Sequence, residues 1–552
     1  MLTLLFLLAI GAFVLAYIFY GRFLSKKFDL DNGRPTPAHS EYDGVDRVPT
    51  NKAVLLGHHF SSIAGAGPIV GPIIAASAFG WGPTLLWVVL GAIFIGGVHD
   101  FSALIASVRH RARSIATIAR ETMSPFAYKL MLVFIWLALI YVLVVFIDLT
   151  SATFVTDGGV ASSSMMFMLL AVGFGLAVYR FKIKVLRASL LFVPLVFLAV
   201  WVGQQIPLQA AHIPALLGGD PANTWDIFLI LYCFVASTTP VWILLQPRDY
   251  LSSYLLYASV LGAFLGILFG GLSIHFPALT AWTNPQLGSL FPILFITVAC
   301  GSCSGFHAVV ASGTSSKQLD RETDARLVGY GAMLIEGTVA VMALVTVMIL
   351  TKNDPLLSQA PLVIYGRGMG RFLAVLGLPE KFGYSFGLLA LSTFILTTLD
   401  TCTRLGRYIF EEFFQLKSAR SRYLSTLATL ILPTIFVLIN LRDAQGRAIP
   451  AWKAIWPVFG ASNQLLAALT LLVITLWIRK MGKKFIFTLL PMLFMISMTL
   501  WSLLLLIRQY RLSAIGLIAV VLLLLAVLLI VEAFRSLRHR TGNQNQVKDS
   551  EF

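Results

Sequence analysis

Apolar residues run through this chain in blocks of about twenty with almost no charge inside them, the length a helix needs to cross a hydrocarbon layer about 30 Å thick. Runs such as LLVITLWI and AVVLLLLAVLLIVEAF are apolar on every side, whereas a strand of a transmembrane barrel alternates apolar and polar positions. The pattern predicts an all-α, polytopic helical membrane protein. About fifteen transmembrane helices are predicted, at 1–20, 56–79, 83–106, 130–150, 164–181, 187–203, 226–246, 251–274, 288–313, 327–350, 382–402, 423–440, 455–478, 485–506 and 513–534.

Composition agrees. Of 552 residues, 58% are hydrophobic and 12% charged, roughly half the charged share of a soluble domain. The net charge of +16 would suit nucleic acid, but it follows topology instead. With the N-terminus outside and the C-terminus cytoplasmic, about three quarters of the 41 Lys and Arg fall on inner segments. Nucleic acid is thereby excluded as a partner, and the partner is the lipid bilayer. Met1 to Tyr20 lacks a preceding charge and a small-residue cleavage pattern, and Arg22, Lys26 and Lys27 follow it, so it reads as a retained anchor. The cysteines Cys233, Cys300, Cys303 and Cys402 all lie in predicted spans, which removes an extracellular disulfide framework. Neither a phosphate-binding G-x-x-x-x-G-K-[ST] loop nor room for a soluble ATPase domain is found.

Interruptions of the spans say more than the spans do, since unwound backbone in lipid leaves amides and carbonyls unpaired unless they line a protected cavity. Three stand out: GHHFSSIAGAGPIVGP (Gly57–Pro72), ASTTPVW (Ala236–Trp242) and CGSCSGFHAVVASG (Cys300–Gly313). The first two each open a unit of five spans, 56–203 and 226–402. An odd number of spans per unit gives opposite orientations, so a five-plus-five inverted repeat is predicted, with cargo bound where two broken helices meet. Packing or a simple kink also accounts for a single interruption. The resulting organisation is an N-terminal anchor helix and cytoplasmic loop (1–50), a first repeat (51–205), a second repeat (206–408), additional C-terminal transmembrane helices (409–534) and a polar tail expected to be mobile (535–552).

The runs NKAVLLGHHFSSIAGAGPIVGP (Asn51–Pro72), QPRDYLSSYLL (Gln246–Leu256), CGSCSGFHAVVASGTSSKQL (Cys300–Leu319), TTLDTCTRLGRY (Thr397–Tyr408) and WPVFGASNQLLAALTLL (Trp456–Leu472) resemble the signature segments of the carbon starvation protein A (CstA) family. The resemblance implies a carrier of the bacterial inner membrane, induced when preferred carbon runs out, that takes up peptides or pyruvate with protons. It also implies the LeuT/APC-like fold of the amino acid, polyamine and organocation transporters, and a transporter rather than an enzyme.

Several residues could carry the chemistry. His58 and His59 precede the first break; an imidazole exchanges protons near neutral pH, so the pair suits proton coupling or an anionic substrate, or ordinary interfacial hydrogen bonds. Gly65, Gly67 and Gly71 would let backbone amides and a half-helix N-terminus approach a carboxylate. Thr238 and Thr239 would donate to the same ligand or back-bond to their own helix. Ser302, Ser304 and His307 would line a polar path. Acidic groups within spans usually face a polar interior: Glu336 and Asp400 are the foremost ion-coupling candidates, with Asp148 and Asp100 as coupling groups or as interfacial caps and salt bridges. Arg248 and Asp249 read as a gate or a helix-end ion pair. Cys300, Cys303 and His307 have the C-x2-C-x3-H spacing of zinc ligands, but in a Gly- and Ser-rich membrane segment close packing explains them as well. Asn463 and Gln464 are expected to bind helices together.

The leading expectation is a secondary active importer of a small carboxylate, pyruvate or a peptide, coupled to protons and needing no cofactor. Sodium coupling, a channel and a membrane-embedded metalloprotein are the alternatives.

Overall fold

The computed structural model describes residues 1–44, 46–209, 221–240, 242–416, 418, 420–439 and 449–548. Among these, twelve helices are long and apolar enough to cross a membrane, or thirteen spans when a bent pair is added. In chain order the helices are α1 (Leu2–Lys27), the bent pair α2 (Lys52–Ile63) and α3 (Gly67–Phe79), α4 (Trp81–Arg109), α5 (Pro125–Thr156), α6 (Gly158–Arg180), α7 (Val185–Gln205), α8 (Pro221–Thr238), α9 (Leu245–Phe269), the short α10 (Leu290–Thr297) and α11 (Gly305–Val310), α12 (Glu322–Met348), α13 (Pro361–Ala374), α14 (Glu380–Phe414), α15 (Ser421–Leu438), α16 (Ala451–Lys480), α17 (Ile486–Tyr510) and α18 (Ala514–Lys548). A hairpin pairing Thr283–Asn284 with Gly288–Ser289 is the only sheet among the described residues.

Twelve of the predicted spans are single long helices, and the other three differ. Span 56–79 is the bent pair α2–α3. Span 226–246 leaves its helix after Thr238 and enters α9 at Leu245, since Pro240 supplies no N–H and clashes with the preceding turn. Span 288–313 divides into α10 and α11. At the C-terminus, α18 continues through the segment expected to be a mobile tail as far as Lys548, because extending a nucleated helix is far easier than starting one; residues 549–552 lie outside the described residues. Burial sorts the bundle. α16 is buried along its whole apolar window, while only about a third or less of those of α1, α7, α17 and α18 is buried; those outer helices face lipid.

The two broken helices form the centre. α2 starts on Asn51, whose side chain accepts from Ala53 N at 2.9 Å, and ends at Ala64 (φ −79°, ψ 66°). Pro68 opens α3, where a residue without an N–H costs nothing, and the axis turns by 47°. α10 ends at Val298 (φ −103°, ψ 59°), and Ser304 is extended (φ −125°, ψ 125°) before α11 begins. Neighbouring side chains take up the backbone groups freed there. Trp87 Nε1 donates to Val298 O at 3.1 Å, Gln464 Nε2 to Phe295 O at 2.8 Å, and Asn463 Oδ1 accepts from Phe306 N at 3.0 Å. Such partners are what allow a break at membrane depth.

The breaks touch each other. A Cβ built on Gly67 would lie 2.4 Å from Cys300 Cβ, and one on Gly71 2.6 Å from the Thr297 carbonyl oxygen. Glycine is required at both positions for this approach. The first interruption therefore meets the Cys300–Gly313 interruption rather than ASTTPVW, which closes α8.

Candidate coupling and substrate site

Two clusters of ionisable side chains lie inside the bundle. In the first, α4 carries His99 and Asp100, α11 carries His307 and α12 carries Glu336, all fully buried. Asp100 accepts through one oxygen from His99 Nδ1 and through the other from His307 Nδ1, both at 2.7 Å. The far side of the His307 ring, Nε2, lies 3.2 Å from Glu336 Oε2 without the alignment of a hydrogen bond, and neither Glu336 oxygen has another partner. His59, on α2, is buried nearby with Nδ1 at 2.7 Å from Ser315 Oγ.

The second cluster joins α2, α8, α9 and α14. Arg248 is fully buried. Its Nη1 bonds Asp400 Oδ2 and the Tyr232 hydroxyl, and its Nη2 bonds Asp249 Oδ1 at 2.9 Å. Tyr232 in turn donates to Asp400 Oδ2 at 2.8 Å. His58 Nδ1 stands 3.2 Å from Asp249 Oδ2, with its side chain 23% exposed. Thus the adjacent His58 and His59 point to different clusters, His58 to Arg248's partner and His59 toward the side occupied by Ser315.

A broken helix explains why these groups converge. Unwinding at Ala64 and at Val298 brings α2 and α11 short of full spans, so their polar residues end inside the bundle beside α4, α9, α12 and α14. Burying such charges is tolerable only because each has a counter-charge within contact.

The remaining candidates fall elsewhere or change role. Gly65 faces Phe146 and Thr398, and the space beside Gly67 and Gly71 is filled by Cys300 and Thr297; in this conformation the three glycines pack the breaks rather than open onto a cavity. Thr238 and Thr239 bond their own helix at Phe234 O and Val235 O, 2.9 and 2.7 Å. They line a cavity of about 400 Å³ with Arg404 and Arg407. Asp148 accepts from Trp452 N at 2.7 Å, at the start of α16, where a carboxylate meets the positive end of the helix. Arg248 and Asp249 are paired in the first turn of α9, and that helix end is buried in the protein interior. Ser304 bonds Asn463, which also donates to Cys300 Sγ at 3.2 Å. The hydroxyl of Ser302 is buried without a partner. Among the described residues no group of three or more His, Cys, Asp or Glu side chains is placed to hold a metal ion.

Sequence reading missed Tyr232 and Ser315. Tyr232 sits in the apolar run FLILYCF, where only its hydroxyl, which seeks a partner when buried, would have singled it out.

Broken helices at the centre of an apolar bundle, with ionisable groups enclosed beside them, define a multi-pass membrane transporter. The chain belongs to the carbon starvation protein CstA family, whose family model matches residues 1–357 and 355–502. Its relatives include the peptide transporter CstA of Helicobacter pylori (strain ATCC 700392 / 26695), 33% identical, with 88% of this chain and 79% of that protein covered. The pyruvate/proton symporter BtsT of Escherichia coli (strain K12) is 32% identical, with 90% and 80% covered. Among solved structures, a mutant manganese transporter of Eremococcus coleocola is similar at 14% identity and a TM-score of 0.46, covering 90% of this chain and 99% of that one. MhsT in complex with L-phenylalanine is similar at 14% identity and a TM-score of 0.43, covering 88% and 99%.

Proposed function

We propose that this protein imports a small carboxylate nutrient, pyruvate or a short peptide, together with protons across the bacterial inner membrane, with its N-terminus outside and its C-terminus in the cytoplasm. Membership of the family and the names of its relatives support the substrate class. The observation that carries the proton is His307 held between Asp100 and Glu336 at the contact of the two broken helices. Three ionisable groups in line, with no solvent between them, can hold or give up one proton, and the balance of charge in a low-dielectric interior makes that proton decisive for which packing is stable. Glu336, whose oxygens have no hydrogen-bond partner in this conformation, is the group assigned to carry it.

Proteoliposomes containing the purified protein test the reading. Labelled pyruvate or dialanine should accumulate against its gradient when the lumen is alkaline, and Glu336→Gln should abolish accumulation while leaving exchange of internal for external substrate. If a sodium gradient drives uptake and a proton gradient does not, the proton assignment falls. If neither solute accumulates under any gradient, the transport reading falls.

A further inference from the structure

A buried guanidinium has five N–H donors to satisfy, and those of Arg248 are not all used. Nη1 meets Asp400, the Tyr232 hydroxyl at 2.7 Å and Leu396 O at 3.4 Å, and Nη2 meets Asp249. Nε has no partner, and neither has Asp400 Oδ1. An arginine fork receives a carboxylate best through two parallel bonds. Asp249 and Asp400 each touch it through a single oxygen.

Its position is that of a substrate group. Asp400 lies two residues beyond Thr398, whose hydroxyl is 3.0 Å from a Cβ built on Gly65 and donates to Ser62 O at 3.5 Å. Arg248, bonded to Leu396 O and Asp400 on either side of Thr398, therefore stands at the same level of α14 as the break between α2 and α3. From the other direction, a cavity of about 70 Å³ lined by His58, Leu245, Thr401 and Arg404 reaches the immediate neighbours of the same cluster. His58, which contacts Asp249, is the member of the cluster that lines this cavity.

We propose that Arg248 is the receptor for the carboxylate of the transported molecule, and that Asp400 and that carboxylate compete for it. The proposal rests on the carboxylate-transport reading above. Arg248 already faces Asp249 and Asp400, so a third anion adds to the excess of buried negative charge unless Asp400 is neutral, and such an excess is strongly unfavourable. A proton on Asp400 and a carboxylate on Arg248 consequently favour each other, independently of the proton held at Glu336. The charged and titratable groups around Asp400 are Arg248 and Tyr232, with Asp249 and His58 behind Arg248, Cys233 beside it, and Arg404 one turn further along α14. Tyr232, bonded to both Arg248 and Asp400, positions the exchange.

Calorimetric binding of pyruvate, dialanine and neutral pyruvamide to the full chain in lipid nanodiscs tests this. Wild type should bind pyruvate more tightly at about pH 6 than at about pH 8; Asp400→Asn should bind about tenfold tighter than wild type at the higher pH and lose that dependence, since its amide competes weakly for the fork. Asp400→Glu should keep it. Pyruvamide should gain nothing from the substitution. Because Arg248→Gln alone leaves two buried aspartates unpaired and could fail to fold, the charge-balanced double variant Arg248→Gln/Asp400→Asn is the decisive one. It should be monodisperse yet lose the tight binding. Binding by the double variant equal to that of Asp400→Asn, or no gain in Asp400→Asn, overturns the proposal while the transport reading stands. Wild type that binds neither carboxylate removes both.

Discussion

His307 Nδ1 and Asp100 Oδ2 are 2.7 Å apart although 207 residues separate them in the chain. The second oxygen of Asp100 is engaged by His99 at the same distance, so one carboxylate fixes two imidazoles and turns the Nε2 edge of His307 toward Glu336.

Asp100→Asn keeps the shape and removes one acceptor, because an amide presents a single carbonyl oxygen where the carboxylate accepts from both rings. One buried ring nitrogen then loses its partner, which costs about 1–3 kcal/mol. The expected outcome is a folded protein with a lowered thermal midpoint and without proton-driven uptake. Equal uptake in wild type and variant would show that the ring orientation set by Asp100 is dispensable.

The contact of the breaks gives a steric test. Gly67→Ala places a methyl group 2.4 Å from Cys300 Cβ, and overpacking of this kind costs about 1–3 kcal/mol. Gly67→Ala should lose transport, and Cys300→Gly in the same chain should restore part of it by removing the opposing Cβ. Gly71→Ala meets a backbone oxygen instead, so Cys300→Gly should not rescue it. Uptake rates of the four variants in liposomes decide the matter.

Asn463 satisfies the start of α11 and also donates to Cys300 and Ser304. Asn463→Leu removes all of this and should destabilise by about 2–4 kcal/mol, whereas Asn463→Gln keeps an amide acceptor and donors and should cost less. Thermal unfolding in nanodiscs measures the order of the two.

Outside the membrane, Lys483 Nζ lies 2.5 Å from Asp29 Oδ2, and the ammonium holds the Asp29 carboxyl below its usual range. A lowered folded-state value means that the pair contributes stability above the unfolded carboxylate value of about 3.9 and loses it as the pH falls through the folded one. The pair is exposed, so the effect is small and screened by salt. Wild type and Lys483→Ala should therefore differ slightly in thermal midpoint at neutral pH and low salt, and converge on acidification or at high salt. A difference that grows on acidification would reverse the sign argued here.

Nearly every charged member of both clusters stands out in the sequence, since a carboxylate, an arginine or a histidine pair within an apolar run is conspicuous by cost alone. Tyr232 and Ser315 do not, because a hydroxyl among apolar or small residues has innocuous explanations until its partner is known. The roles were less legible than the residues. Arg248 and Asp249, adjacent in QPRD, do form an ion pair in the first turn of α9, but their spacing gives no sign that this helix end is buried or that Asp400 shares the pair.

Hydropathy, glycine and proline act locally, so the chain by itself determined that this is a helical membrane protein and where its helices must break. Which break lies against which was decided only by packing: Gly67 on Cys300 and Gly71 on Thr297 require two surfaces to fit, and spacing along the chain says nothing about fit. The same holds for the charges. Arg248 selects Asp400 from 152 residues away, and that choice exists only once α9 and α14 are side by side and the solvent that would otherwise pay for their ionisation has been excluded.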